Sequence, residues 1–372
     1  MNVNVNVMEK PDLYDWDLPT LEAHLAAWGQ PAYRARQIWD WLYRQLVTDF
    51  DAMTSLPKAL REQLAAATTL AAPQVLSRQE SLDGETRKDL LALADGEQVE
   101  VVLMHYIERR SACLSTQVGC AMGCAFCATG QMGFTRNLSS GEIVAQALHL
   151  QRELRARGES LSNIVLMGMG EPLLNYDATL AAIRRLVHPQ GFGMGQRRIT
   201  LSTVGIAPGI RRLAEESLQI NLAISLHAAT DALRQQLLPV SRKYPLEALF
   251  EAVAAYLQAT NRRVTFEWVL IHEVNDTVEQ AEALAARLSG LLAHVNLIPL
   301  NPTEGFEGRP SSPERIAAFT AVLERRHIAH TVRVRRGGDI RAGCGQLRRR
   351  TQQAAAAKSG SWPIPGVPEN RL

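Results

Sequence analysis

Hydrophobic and polar positions along the chain fall into three regimes. From residue 12 to about 70, apolar positions recur at helical spacing. Leu18-Pro19-Thr20 caps a helix through Leu25, the run 33–43 carries Tyr33, Ile38, Trp39 and Leu42 at helical spacing, and Pro57 opens a further helix at a position that tolerates proline. From 75 to 106 the period shortens to strand-like runs separated by Asp83-Gly84 and Asp95-Gly96, pairs that favour hairpin turns. A regular alternation then begins. Apolar strand-like runs near 111–116, 163–168, 198–203, 219–226, 263–271, 294–299 and 330–335 alternate with helical patterns near 139–157, 176–188, 208–217, 230–238, 246–259, 276–289 and 313–327. Nearly all-apolar strands joined by helices predict a parallel sheet covered by helices, an α/β class. Six or seven such units fit an open sheet or a partial or complete barrel. The expected organisation is a helical accessory domain over 1–75, a short β adapter over 76–105, a core over 106–350, and a Gly-, Ser- and Pro-rich flexible tail over 351–372.

Composition narrows the class without naming a function. The hydrophobic fraction of 46% and charged fraction of 21% are those of a soluble globular protein, and no apolar run is long enough to predict a transmembrane helix. The opening MNVNVNVMEK lacks the basic and apolar regions of a secretory signal, so a cytoplasmic protein is expected, with Met8 an alternative start. The net charge of +2 is uninformative, but its distribution is not: residues 333–350 contain seven Arg and one Asp. A basic stripe suits a phosphate backbone, although Arg pairs are also ordinary on solvated helix ends. Trp39, Trp41 and Tyr43 beside Arg34, Arg36 and Arg44 fit either an RNA-contacting face or, as the more usual reading, the core of a small helical module.

Candidate chemistry concentrates in the cysteines. Four of the five lie between 113 and 127, in Cys113-Leu-Ser-Thr-Gln-Val-Gly-Cys120-Ala-Met-Gly-Cys124-Ala-Phe-Cys127, just after the first strand of the alternating region. Ligands in a βα loop lie at the end of a parallel domain where active sites gather. Soft thiolates suit zinc or an iron–sulfur cluster. A structural zinc would close with a fourth ligand from a second paired element, and the sequence offers none.

The Cx3Cx2C spacing with an aromatic residue before the third cysteine resembles the signature of the radical S-adenosylmethionine (SAM) superfamily. That resemblance implies a partial (β/α) TIM-type barrel and one [4Fe-4S] cluster held by Cys120, Cys124 and Cys127, with SAM bound to the fourth iron. It also assigns cofactor contacts to Gly170 and Glu171 of Met167-Gly-Met-Gly-Glu-Pro172, to Ser202, to Ser225-Leu226-His227 and to Asn301. Read locally, Glu171 and Ser202 are equally capping residues.

The match narrows further. Gln117-Val-Gly-Cys-Ala-Met-Gly-Cys-Ala-Phe-Cys-Ala-Thr-Gly130, Met167-Gly-Met-Gly-Glu-Pro-Leu-Leu-Asn175 and Arg336-Gly-Gly-Asp-Ile-Arg-Ala-Gly-Cys-Gly-Gln-Leu347 resemble the dual-specificity adenine-C2 RNA methyltransferases, from about 12 to 350. The resemblance implies 23S rRNA and tRNA as partners, a cytosolic reductant such as a flavodoxin system, no membrane, and a monomer. It implies two SAM molecules. One methylates Cys344, and the other yields the 5′-deoxyadenosyl radical that abstracts hydrogen from the S-methyl group. The resulting carbon adds to C2 of adenine, Glu100 accepts the proton, and Cys113 attacks the Cys344 sulfur, leaving a disulfide for reduction. Gly343 and Gly345 give Cys344 a permissive frame, whereas Cys113 in an apolar strand and Glu100 in Val99-Glu-Val-Val-Leu-Met104 read locally as a buried thiol and as either a desolvated or a solvent-side carboxylate. Competing readings are methylation of adenine C8, a zinc-bearing RNA-binding protein without catalysis, and an iron–sulfur electron carrier. The helical module and the arginine-rich end are expected to grip RNA by shape more than sequence, so that removing residues 1–75 abolishes RNA modification and leaves cluster assembly and Cys344 methylation largely intact.

Overall fold

Asp17 opens the first helix: its carboxylate accepts the Thr20 backbone N–H at 2.9 Å, so the cap lies one residue ahead of the expected Leu18-Pro19-Thr20. The structure, a computed structural model, describes residues 10–301, 303, 305–333, 340 and 346–348. α1 (Leu18–Ala27), α2 (Tyr33–Asp40, prolonged by a wider turn through Gln45) and α3 (Lys58–Ala67) form the amino-terminal segment. β1 (Gln74–Glu80), β2 (Thr86–Ala92) and β3 (Gln98–His105) follow as an antiparallel meander. Its turns fall at the two Asp-Gly pairs, with Gly84 and Gly96 at positive φ.

β4 (Arg110–Cys113) pairs antiparallel with β3. A separate two-stranded hairpin comes next, β5 (Gln117–Gly119) with β6 (Phe134–Asn137), its long connection holding the short α4 (Ala128–Gln131). The alternation then runs α5 (Ser140–Arg155), β7 (Asn163–Leu166), α6 (Tyr176–Val187), β8 (Ile199–Thr203), α7 (Ala207–Ala214), β9 (Asn221–Ser225), α8 (Asp231–Leu237), α9 (Leu246–Thr260), β10 (Val264–Leu270), α10 (Val278–Leu288), β11 (Ala293–Pro299), α11 (Pro313–Arg325) and β12 (His330–Val332). The ten-stranded sheet has the order β1-β2-β3-β4-β7-β8-β9-β10-β11-β12, parallel from β4 onward and not closed among the described residues. It is the partial barrel expected. The β adapter is the antiparallel edge of that same sheet, not a sheet of its own.

The amino-terminal helices do not stand apart. Leu13, Tyr14, Trp39 and Tyr43 are buried in one core with the inner faces of α5 and α6. The interface is also polar: Asp15 accepts Gly141 N–H at 2.6 Å and Ser140 Oγ–H at 2.9 Å at the start of α5, and Arg152 donates to Leu46 O at 2.7 Å and to Tyr14 Oη at 2.9 Å. Arg185 donates to Tyr14 O. Trp39 and Tyr43 are therefore core residues, and an independent module that can be removed without consequence is not what the packing provides. Among the described residues no helix is long and apolar enough to cross a membrane.

Candidate active site

The loops at the carboxyl ends of the parallel strands are stitched to one another by main-chain and side-chain hydrogen bonds. Gly168 N–H donates to Leu114 O at 3.0 Å, Met169 N–H to Ser115 Oγ at 2.9 Å, and Thr116 N–H to Met169 O at 2.8 Å. This close approach is why residue 170 is glycine. Its φ is +104°, and a Cβ there would lie 2.6 Å from Gln117 Cβ. Gly119 is under a tighter constraint, since a Cβ at its φ of +78° would lie 2.1 Å from Gly133 O.

Cys120, Cys124 and Cys127 occupy the connection of the β5–β6 hairpin, which Cys120 N–H closes by donating to Gly133 O at 2.7 Å. Burial pushes the Cys120 thiol up to about 12 and the Cys124 thiol well above its ordinary value, with the neighbouring cysteines adding to both. Thiols raised in this way ionise only against a strong cation, and three soft sulfur donors in one loop suit an iron–sulfur cluster. Among the described residues another set of donors, Asp89, His149 and Glu153, lies within 4.8 Å of one another. That other set is already neutralised by Arg78 and Arg87.

Beside the hairpin lies a cavity of about 300 Å³ lined by Phe126 and Cys127 and by Gly170, Glu171, Ser202, Ser225, His227 and Asn301. The expected cofactor contacts thus converge, with one exception: Leu226, directly after β9, does not line the cavity and is fully buried in the core, while Ser225 and His227 on either side of it line the cavity. Glu171 Oε1 accepts Leu173 N–H at 3.0 Å and its Oε2 accepts Val204 N–H at 2.8 Å. Burial pushes its carboxyl up to about 7 against those bonds. The capping reading of Glu171 therefore describes one of its duties. His227, at φ +58°, accepts Val269 N–H on Nδ1 at 3.0 Å, and burial depresses its pKa to about 3. The ring is neutral, with its proton on Nε2.

Glu100 and Cys113 share one face of the sheet. Val102 pairs with Cys113, Cys113 with Val165, and Val165 with Thr200, so these side chains point the same way, and Glu100 lies one pleat period along from Val102. Val165 and Thr200 line a second cavity inside the barrel, of about 510 Å³, which shares Met167, Glu267 and Arg333 with the first. Glu100 is buried, not on the solvent side of an edge. Its Oε2 lies 2.9 Å from Nζ of the equally buried Lys88, and its Oε1 accepts the Arg348 backbone N–H at 2.8 Å. Arg348 also pairs with Glu97 at 2.8 Å, and Gln346 lines the first cavity. Cys344 and Arg341 lie outside the described residues, as do residues 334–339 and the tail.

Three functional-looking residues escaped the sequence reading. Lys88 gave no signal, because a lysine in Thr-Arg-Lys-Asp looks solvated. Gln346 gave none either. Glu267 did, as the lone charged residue of β10: it is buried, accepts Asn296 Nδ2–H at 2.7 Å, and has its pKa raised by burial.

Residues 11–70 match the ribosomal RNA large subunit methyltransferase N-terminal domain, and residues 114–285 the radical SAM superfamily. Over 339 residues the chain is 52% identical to dual-specificity RNA methyltransferase RlmN 1 of Myxococcus xanthus, covering 91% of this chain and 94% of that one. The chain belongs to the RlmN family. A probable RlmN of Symbiobacterium thermophilum is 52% identical over 330 residues, covering 88% and 89%. The crystal structure of a radical SAM methyltransferase from Sphaerobacter thermophilus superposes with a TM-score of 0.88 at 52% identity, covering 90% of this chain and 98% of that one. As an RlmN-family enzyme the chain is a SAM-dependent RNA methyltransferase that uses a [4Fe-4S] cluster.

Proposed function

We propose that this enzyme methylates carbon 2 of adenine in 23S rRNA and in tRNA, at the adenosine 3′ of the anticodon, and that it does so as a cytoplasmic monomer supplied with electrons by a flavodoxin-type reductant. The observation that carries the reading is the common placement of Cys113 and Glu100 on the inner face of the sheet, with Arg348, four residues after Cys344, anchored at Glu100. That anchorage supports Cys344 and Cys113 working at the same end of the barrel.

Cys120, Cys124 and Cys127 hold the cluster, and Gly170, Glu171, Ser202, Ser225, His227 and Asn301 hold SAM. When bound, these groups supply a hydrogen-abstracting radical. The rest is done by side chains. Carbon 2 of adenine lies between two ring nitrogens and is electron-poor, so the methyl carbon reaches it from Cys344 and not by direct attack on a sulfonium. Glu100, with Lys88 as its counter-ion, would accept the carbon-2 proton in a site closed to bulk water, while the unpaired electron of the adduct leaves to the one-electron acceptor that the iron–sulfur site would supply, so that the thioether left on carbon 2 is closed-shell. Cys113 then attacks the Cys344 sulfur: the S–S bond forms as the S–C bond breaks, and the electron pair leaves with the carbon, which takes up a proton. The disulfide is reduced by an external thiol. Neutral His227 offers Nε2–H to the cofactor without adding positive charge beside the sulfonium. The target base must leave its stack to enter.

The test is mass spectrometry of adenosines from ribosomal and transfer RNA incubated with anaerobic, cluster-loaded protein, SAM and a reductant, beside Cys344→Ala. 2-Methyladenosine from the wild type alone is expected. 8-Methyladenosine selects the related regiochemistry, and SAM cleavage without RNA methylation overturns the substrate assignment.

A further inference from the structure

Arg234, on α8, is wholly buried, yet its guanidinium meets no carboxylate. It donates to Val204 O at 2.6 Å, Ser241 Oγ at 2.8 Å and Leu226 O at 3.2 Å, and no Asp or Glu of the described residues lies within ion-pair distance of it. Asp231, the acid whose charge the guanidinium feels, accepts the Leu246 backbone N–H instead. A buried cation with no counter-charge is among the costliest arrangements a fold can hold, so a second charge is expected close by.

The cysteine loop is what packs there. Ala125 N–H donates to Leu237 O at 3.0 Å, and Cys124 sits in an apolar cluster with Leu237 and Leu238, one turn beyond Arg234. Burial draws the pKa of the guanidinium down to about 10, and Asp231 and Cys124 are both near enough to oppose that shift. The neutral carbonyls orient the guanidinium without balancing its charge.

We infer that Arg234 is the buried counter-cation of the iron–sulfur centre, a positioning residue that sets the centre's reduction potential. The inference rests on the proposal that Cys120, Cys124 and Cys127 hold the cluster. Three thiolates around a [4Fe-4S]2+ core leave a net charge of about −1, and one-electron reduction takes it to about −2. A fixed cation favours the more negative state, more strongly where the dielectric is low. Arg234 therefore raises the midpoint potential and makes the cluster easier to reduce. Its bonds to Val204 O and Leu226 O also tie together the loops that bear the Glu171 contact and His227, so a purely structural role must be separated from the electrostatic one.

The experiment is a potentiometric titration of the loaded full chain, without RNA, followed by the electron paramagnetic resonance of the reduced cluster. Arg234→Gln is expected to lower the reduced-to-oxidised ratio at fixed potential at least tenfold, which is 59 mV for a one-electron couple. Arg234→Lys, which keeps the charge and loses the fork of hydrogen bonds, restores most of it. Should Arg234→Gln not fold, Ser241→Asp neutralises the guanidinium in place. It is expected to lower the midpoint, with Ser241→Asn as the uncharged control. A midpoint unmoved in Arg234→Gln, or equal in Ser241→Asp and Ser241→Asn, overturns the inference. Separately, Cys124→Ala that still holds the cluster sinks the ligand assignment on which it rests.

Discussion

At the scale of single residues the site depends on charges placed where water is absent. Lys88 and Glu100 form such a pair, each buried and 2.9 Å from the other. Glu100→Gln removes the proposed proton acceptor and is expected to slow RNA methylation by about 10²- to 10⁴-fold while sparing Cys344 methylation, read by peptide mass spectrometry. Lys88→Met leaves a lone buried carboxylate and is expected to cost about 3–5 kcal/mol of stability, read by denaturant melts, with Lys88→Met/Glu100→Gln recovering part of the loss. Glu171 carries a pH dependence. Its folded, ligand-free carboxyl lies at about 7, raised from 4.5 by burial, so the stability linked to its proton is fully present below the unfolded value and is lost as pH rises through 7. The proposed contact of Glu171 with the cationic amino group of SAM favours the ionised form. SAM affinity is therefore expected to weaken as pH falls below 7, by up to about tenfold per unit, in isothermal titration, and Glu171→Gln to flatten that slope. Chemistry at this scale was legible where a residue type is scarce: cysteines at fixed spacing, glycines beside a carboxylate. It was illegible for Lys88 and Gln346, whose roles arise from cross-strand and long-range contacts that leave no local signature.

At the scale of elements, strand and helix positions could be read from periodicity because each helix has one apolar face and the parallel strands bury a row of apolar residues on the helix-covered side, with Thr200, Ser202, Glu267 and Asn296 on the other. β4 and β7–β11 lie within the expected runs or a residue outside them. The β5–β6 hairpin could not, since its strands are three and four residues long and its pairing is set by the approach of Gly119 to Gly133. Nor could the embedding of the first helices, because the apolar stripe that builds a free-standing bundle is the same stripe that seats helices on α5 and α6. Trp39 is the keystone of that seat, packed against Tyr43 at 4.6 Å between ring centroids and His188 at 5.7 Å. Trp39→Ala is expected to lose about 3–5 kcal/mol. Deleting residues 10–70 uncovers the apolar faces of α5 and α6, and soluble, cluster-loaded protein from that deletion, measured by size exclusion and absorbance, contradicts this packing.

At the scale of the whole molecule, the cluster ligands and the core are built from different parts. All three proposed ligands sit between β5 and β6, outside the ten-stranded sheet, while the hydrophobic core runs through the sheet, its covering helices and the amino-terminal segment. Small metal-folded domains collapse when their ion is taken away. Here the loaded and iron-free forms are expected to share a far-ultraviolet circular dichroism spectrum, and chelation to lower the melting temperature only by the linkage due to binding. A spectrum that loses its helical signal on chelation contradicts that division of labour. For a cell this matters after oxidative damage. An enzyme whose scaffold outlives its inorganic centre is mended by refilling an empty hand, with no new chain to be made.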